Sequence, residues 1–221
     1  MHNNRDLNKI VEFVLSDNTT DYGYYGSKAL IPKRLLWWER IKIAHNLYKR
    51  YEKGIDKDVL VDFGCQFAFL STLLSKEFNK VCLVETSQHY VDLGVYMHDK
   101  LGNGNYETII NSKDNSSEFI DKIKCKVNLF LFFDVLEHVK NVKKMLADLK
   151  KISGNNTYLI VSLPTENFIY NLLTKFKKEK GHINRYFEVE NALRESGYKL
   201  LEKKSLLLLF NIYLYKYGES C

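Results

Sequence analysis

Short uninterrupted apolar runs alternate along this chain with longer stretches in which apolar residues recur every three or four positions. The first kind reads as buried strands of a parallel sheet, the second as helices lying across it. Val59 to Val61, Val81 to Val84, Thr108 to Asn111, Val127 to Phe133 and Thr157 to Leu163 are the expected strands. Ala68 to Phe78, His89 to Leu101 and Asn141 to Ile152 carry the helical spacing between them. Gly154-Asn155-Asn156 reads as a turn, and Pro164 closes the strand that follows it. Beyond Pro164 the pattern predicts a helix from Glu166 to about Lys178 and another from Val189 to Ser196, stopped by Gly197. Leu200 to Lys204 and Leu206 to Tyr215 make a closing strand pair.

Ahead of the first strand, Leu7, Ile10, Val11, Val14 and Leu15 form one stripe of an amphipathic helix over Asp6 to Leu15. A polar loop, Asp17 to Ser27, carries Tyr22, Tyr24 and Tyr25 between glycines. Pro32 then opens a long helix from about Lys33 to Glu52, with Gly54 as its stop. The simplest reading of Trp37 and Trp38 is that they dock this helix on the sheet. The loop tyrosines offer stacking surface and hydroxyls to a ligand.

Composition narrows the class. At 221 residues with 45% hydrophobic and 14% aromatic content, the chain can bury one core without a second domain. The expected organisation is a single domain over 1–221, with 1–54 a helical cover and 55–221 the core. No run of about 18 uncharged apolar residues occurs, and Met1 to Asp6 lacks the apolar region of a signal peptide. A cytoplasmic protein is expected. Cys65, Cys82, Cys125 and Cys221 show no C-x-x-C pairing or other metal spacing, so reduced thiols and no metal are expected. The net charge of +6 comes largely from lysines scattered over helix faces, the pattern of a solvated surface. No basic-aromatic motif supports a nucleic-acid partner.

The chemistry concentrates between Val59 and Glu85. Both strands of this β-α-β unit end in a carboxylate, Asp62 and Glu85, and ligands of open parallel sheets sit beyond the carboxyl ends of the strands. Gly64 permits close backbone approach. Glu85 follows it at about the 20-residue separation at which an acid reaches the hydroxyls of a bound ribose. A pyrophosphate would be repelled by Asp62, and Gln66 and Phe69 hold the second and third places of a dinucleotide-type G-x-G-x-x-G. A cationic, adenosine-like ligand fits better.

Asp62-Phe63-Gly64-Cys65, Leu70-Ser71 and Glu85 together resemble the cofactor motifs of class I S-adenosylmethionine-dependent methyltransferases. Phe133-Asp134-Val135-Leu136-Glu137-His138-Val139 is similar to the D-V-L-E-H-V segment of the branch that includes many small-molecule O-methyltransferases. Gly181-His182 through Phe187, with Gly197-Tyr198 beyond, is a third match. The resemblance spans residues 55–203. It implies a Rossmann-like three-layer α/β sandwich whose seven-stranded sheet is mostly parallel with an antiparallel last strand. It also implies S-adenosyl-L-methionine as cofactor, S-adenosyl-L-homocysteine as product, and Asp62, Gly64, Cys65, Glu85, Thr86, Asp114, Phe133 and Asp134 as cofactor-binding residues, Asp114 at the adenine amino group. For Cys65 a plain role as small apolar filler is expected over a nucleophilic one.

Methyl transfer is an in-line displacement, driven mainly by positioning. A hydroxyl acceptor needs a base, and imidazoles suit that task near neutral pH. His138 and His182 are the candidates, a hydrogen bond that fixes the strand-to-helix turn being the other reading of His138; the expected reaction is O-methylation of a small molecule, although an amine or carbon acceptor needs no such base. Tyr22, Tyr25 and Arg185 are candidate substrate contacts. The chain departs from the family's D-x-G-x-G-x-G at Gln66 and Ala68, and any need for a left-handed backbone at Gln66 would cost about 1 kcal/mol or more. A non-catalytic binding module that keeps the fold therefore stands beside the main reading, and an RNA methyltransferase is a separate third alternative.

Overall fold

The computed structural model describes residues 5–17, 19–111, 118–165 and 183–218. The strands are β1 (Val59–Phe63), β2 (Lys80–Glu85), β3 (Tyr106–Ile110), β4 (Val127–Phe133), β5 (Ser153–Pro164), β6 (Lys199–Leu206) and β7 (Phe210–Tyr217). They form one seven-stranded sheet in the order β3-β2-β1-β4-β5-β7-β6. β1 to β5 pair in parallel, and β7 runs antiparallel between β5 and β6. The sheet expected from sequence is the sheet found.

Each central strand is buried on both faces, which is why it reads as a continuous apolar run. Alternation within the run sorts side chains between two cores. Leu60, Leu83, Leu129 and Leu131 face α1 (Arg5–Ser16), α2 (Ile31–Tyr51) and α3 (Phe69–Leu74). Val61, Val84, Phe130 and Phe132 face α5 (Val142–Ile152) and α6 (Tyr186–Glu195). The result is the three-layer sandwich. α4 (Gln88–Leu101) links β2 to β3 and sends Met97 into the first core.

Several boundaries differ from the pattern. The helix expected over Ala68 to Phe78 is cut to Phe69–Leu74, because after Leu74 the backbone tightens into i→i+3 bonds such as Glu77 N–H to Leu74 C=O at 2.9 Å. Gly154 to Asn156 are not a free turn. β5 already begins at Ser153, which pairs with Val127 across a bulge before regular pairing resumes at Leu129. The run from Leu206 is broken by the turn Leu207–Leu209, so β7 starts only at Phe210. The helix expected from Glu166 lies outside the described residues.

The topology fixes where a ligand can sit. From β1 the chain steps to β2 and β3 on one side, then crosses to β4 on the other. The crevice at that switch point, outside the carboxyl ends of β1 and β4, is the natural binding position of such sheets. Asp62 lies beside Leu131 in register, and Asp134 follows directly on β4.

Candidate active site

The turn after β1 does what a glycine-rich loop would do without most of its glycines. Gly64 has φ +71°, and a Cβ there would meet Val135 Cγ2 at 2.5 Å, so only glycine fits. Gln66 and Ala68, standing where the resemblance has glycine, are left-handed as well, with φ +43° and +53°. The loop thus keeps the glycine-type backbone at a steric cost. Hydrogen bonds from Gly64 N–H and Cys65 N–H to Val84 C=O, at 2.8 and 3.3 Å, tie it to β2.

Asp62 and Glu85 end up at neighbouring strand tips, since Phe63 pairs with Val84. Asp62 is buried and accepts from Ser71 Oγ, whose oxygen lies 3.4 Å from His98 Nε2. Burial pushes the Asp62 carboxyl up to about 7; the Ser71 hydrogen bond opposes this and the Glu85 charge adds to it. Glu85 Oε1 accepts from Thr86 N–H at 2.6 Å and Thr86 Oγ1 at 3.2 Å, while Oε2 accepts a long bond from Gln66 N–H at 3.3 Å. A carboxylate offers about four acceptor directions, so Glu85 keeps capacity for a further donor.

Three neighbouring spaces open here, and all three are lined by Gln66 and Asp134. One, of about 180 Å³, lies over Phe63, Glu85, Thr86 and Asn111, with Phe133 and His138 on its wall. The second, beneath Asp62, Cys65 and Tyr25, holds only about 50 Å³. The third is a chamber of about 520 Å³ walled by Tyr22, Tyr24, Trp37, Tyr90 and Phe210, with His89 and His138 on its polar side. Such an arrangement suits a nucleoside in the first space, its charged tail in the second and a separate reactant in the third.

The sequence profile described as a methyltransferase domain matches residues 37–203. The chain belongs to the class I S-adenosylmethionine-dependent methyltransferases. Among solved structures, magnesium protoporphyrin IX methyltransferase from Synechocystis PCC 6803 with bound SAH aligns at a TM-score of 0.64 and 13% identity, over 97% of this chain and 94% of that one. N-methyltransferase NodS from Bradyrhizobium japonicum WM9 in complex with S-adenosyl-L-homocysteine gives 0.65 and 12%, over 97% and 100%. A methyltransferase from Clostridium acetobutylicum ATCC 824 gives 0.62 and 12%, over 96% and 99%. At such identities the likeness is one of fold. No curated protein sequence matches the chain.

The donor set of this methyltransferase fits its cofactor. Asn111 is buried at the end of β3, its N–H bonded to Glu85 C=O at 2.8 Å, and its side-chain Oδ1 has no hydrogen-bond partner. An unpaired buried acceptor in the nucleoside space calls for a donor such as an exocyclic amine. The tail space is tighter. About 50 Å³ admits a few waters, less than a methionine tail requires. Gln66, which is exposed, is among the side chains that line it.

Of the residues expected from sequence, Asp62, Gly64, Cys65, Phe133 and Asp134 come together around the tail space, and Glu85 and Thr86 line the nucleoside space. Burial raises the Cys65 thiol well above its ordinary range, which keeps it an uncharged filler. Tyr22 and Tyr25 reach the chamber wall, their phenols pushed up chiefly by burial and so held protonated. Arg185 lies elsewhere: it is exposed ahead of α6, its N–H bonded to Glu188 Oε2 at 2.6 Å, and lines none of the three spaces. Asp114 and His182 lie outside the described residues.

The two tryptophans divide. Trp38 is buried, donating to Tyr25 C=O at 3.1 Å, whereas Trp37 lines the chamber with its ring 5.2 Å from Phe210. Sequence reasoning missed Arg40. This buried guanidinium ion-pairs with Asp134, donates to Tyr25 Oη at 3.0 Å and lies 4.6 Å from the Phe210 ring centre. Its signal was present: Arg40 stands three residues after Trp37 and four before Ala44, a lone charge in the inward stripe of α2.

Proposed function

We propose that the chain methylates a small-molecule acceptor held in the aromatic chamber, at a hydroxyl oxygen by preference. The observation that carries this reading is the position of His138, which lines both the nucleoside space and the chamber. A base there can take a proton from an acceptor lying against the donor. S-adenosylmethionine, when bound, supplies an electrophilic methyl group on a sulfonium.

The protein's residues supply the rest. Asp62, with Gly64 and Cys65 around it, faces the ammonium of the tail. Glu85 and Thr86 hold the ribose hydroxyls, Phe133 packs on the nucleoside, and Asn111 Oδ1 accepts from the adenine amine; Asp114 is the other candidate for that amine. Arg40 anchors Asp134 so that its carboxylate stays at the junction of the three spaces instead of closing on the tail. Ile183 N–H and Asn184 N–H both donate to Glu137 C=O, at 2.8 and 3.0 Å, so the residue after His182 adjoins the turn that carries His138. That keeps His182 as the second candidate base. Cytoplasmic residence is part of the same reading; no helix among the described residues is long and apolar enough to cross a membrane.

One observation favours an amine acceptor instead. Asp21, Asp134 and Glu137 line the chamber against a single Arg40 that is already paired, and excess negative charge suits an ammonium or amine. The test is S-adenosylhomocysteine formation with a panel of phenols, alcohols, carboxylates and amines, comparing wild type with His138→Asn and His182→Asn. A hydroxyl acceptor predicts loss of turnover by about 10²–10⁴-fold in one of them. Turnover only on amines, unaffected by either substitution, would refute the hydroxyl reading.

A further inference from the structure

We propose that the edge of the molecule beside the chamber docks on an anionic lipid surface, and that the acceptor enters from it as a membrane-resident amphiphile. The second half rests on the chamber being the acceptor site; the docking does not. The five most exposed large apolar side chains among the described residues are Leu30, Ile31, Leu35, Leu207 and Leu208, each 61–72% exposed. The first three belong to the start of α2 and the last two to the tip of the β6–β7 hairpin.

These two elements point the same way. Trp37 packs on Phe210, the first residue of β7, and Arg50 ion-pairs with Glu202 within β6, so α2 descends along the hairpin from its tip. Ile31, six residues before Trp37, therefore projects about 9 Å past that contact at 1.5 Å per residue. Trp37 and Phe210 are themselves chamber walls, which places the chamber beside the exposed leucines.

Turn chemistry sharpens the point. Leu209 N–H donates to Leu206 C=O at 2.8 Å, making Leu207 and Leu208 the central turn residues, at φ +48° and +59°. Hairpins of this shape favour Asn-Gly or Asp-Gly, polar residues that adopt left-handed backbone readily. Two leucines are a poor choice for the fold and a good one for insertion into an apolar phase. Lys28, Lys33 and Arg34 surround the α2 leucines, and none has a carboxylate partner among the described residues. Lys33 Nζ lies 5.5 Å from the Tyr24 ring centre and Arg34 reaches only the Ser27 carbonyl, at 3.5 Å. Apolar tips among cations that face no carboxylate of the described residues match an interface with acyl chains below and phosphates above.

Co-sedimentation of the full chain with vesicles of phosphatidylcholine, with and without phosphatidylglycerol, tests this. Wild type should partition about ten-fold better onto the anionic vesicles, less so in high salt. Leu207→Asp/Leu208→Asp and Lys28→Glu/Lys33→Glu should each lose about ten-fold in partitioning. Both variants should keep the wild-type melting temperature and S-adenosylhomocysteine affinity. Absence of partitioning, or variants that partition like wild type, would overturn the docking. So would a concentration-dependent dimer abolished by the leucine substitutions, which would assign the face to a second copy. Vesicle binding intact, with turnover on vesicle-dissolved amphiphiles no better than on water-soluble acceptors, would overturn the entry of the acceptor from the membrane alone.

Discussion

Asp62→Asn should make the ligand-free protein more stable above neutral pH while weakening its hold on the cofactor. The carboxyl is buried beside α3, and burial pushes it to about 7 from an ordinary 3.8. That rise of about three units corresponds to roughly 4 kcal/mol for charging Asp62 in the fold, at about 1.4 kcal/mol per unit. Because the folded carboxyl holds its proton to higher pH than the unfolded one, the associated stability is complete below about pH 4 and is lost as pH rises through about 7. Asparagine keeps the shape, can still accept from Ser71 and escapes that loss. Allowing for an imperfect amide hydrogen bond, we expect a gain of about 1–3 kcal/mol at pH 8, or roughly 2–10 °C in melting temperature for a chain this long. At pH 5 the gain should vanish. The same substitution removes a charge-assisted bond to an ammonium, about 1.5–3 kcal/mol, so S-adenosylmethionine should bind roughly ten- to a hundred-fold more weakly. Thermal melts from pH 5 to 8.5, with calorimetry of the ligand, measure both. A variant destabilised equally at both ends of the range, or one that binds the ligand like wild type, would refute the reasoning.

Gln66→Gly relieves a left-handed backbone at φ +43°; the gain of about 1 kcal/mol is offset in part by the freer unfolded glycine, leaving roughly 1–3 °C in melting temperature. It also widens the tail space, so affinity for S-adenosylmethionine should hold or rise; a ten-fold loss would mean that the Gln66 side chain grips the ligand. Arg40→Met should cost about 2–4 kcal/mol in a denaturant titration, because Asp134 loses its partner, with the usual buried-pair penalty reduced since Asp134 faces the cavity. Adding Asp134→Asn should recover part of that loss, and no recovery would contradict the pairing. His98 is buried, and burial lowers it to about 4 from 6.5, so stability attached to it is lost as pH falls through that window. His98→Gln should flatten the melting profile between about pH 6.5 and 4, and an unchanged slope there would show that His98 takes no part.

The sheet was legible because buried parallel strands have an unambiguous signature: Val59 to Val61 and Val127 to Phe133 have no polar face to confuse with a helix. The two strand-tip carboxylates were legible for the same reason, since parallel strands of similar length end side by side. Backbone strain was half visible. Sequence marks Gln66 and Ala68 as costly in a glycine-type turn but cannot say whether the turn yields or the residues do; here the residues adopt the left-handed shape. Arg40 and Asp134 lie far apart in sequence, and nothing local links them. Asn111 was read as the end of a strand, and its candidacy as a cofactor contact follows only from where β3 stops beside Glu85. The Leu207–Leu209 turn was hidden because it contains none of the residues that mark turns.

The central claim is that Glu85 and Asp62 grip the two ends of one cationic nucleoside, and calorimetric titration of S-adenosylmethionine into wild type and Glu85→Ala tests it most directly. The account predicts one ligand per chain for wild type and at least about ten-fold weaker binding for the variant, the loss of its ribose hydrogen bonds. No heat of binding at millimolar ligand, or identical affinities for the two proteins, would contradict it.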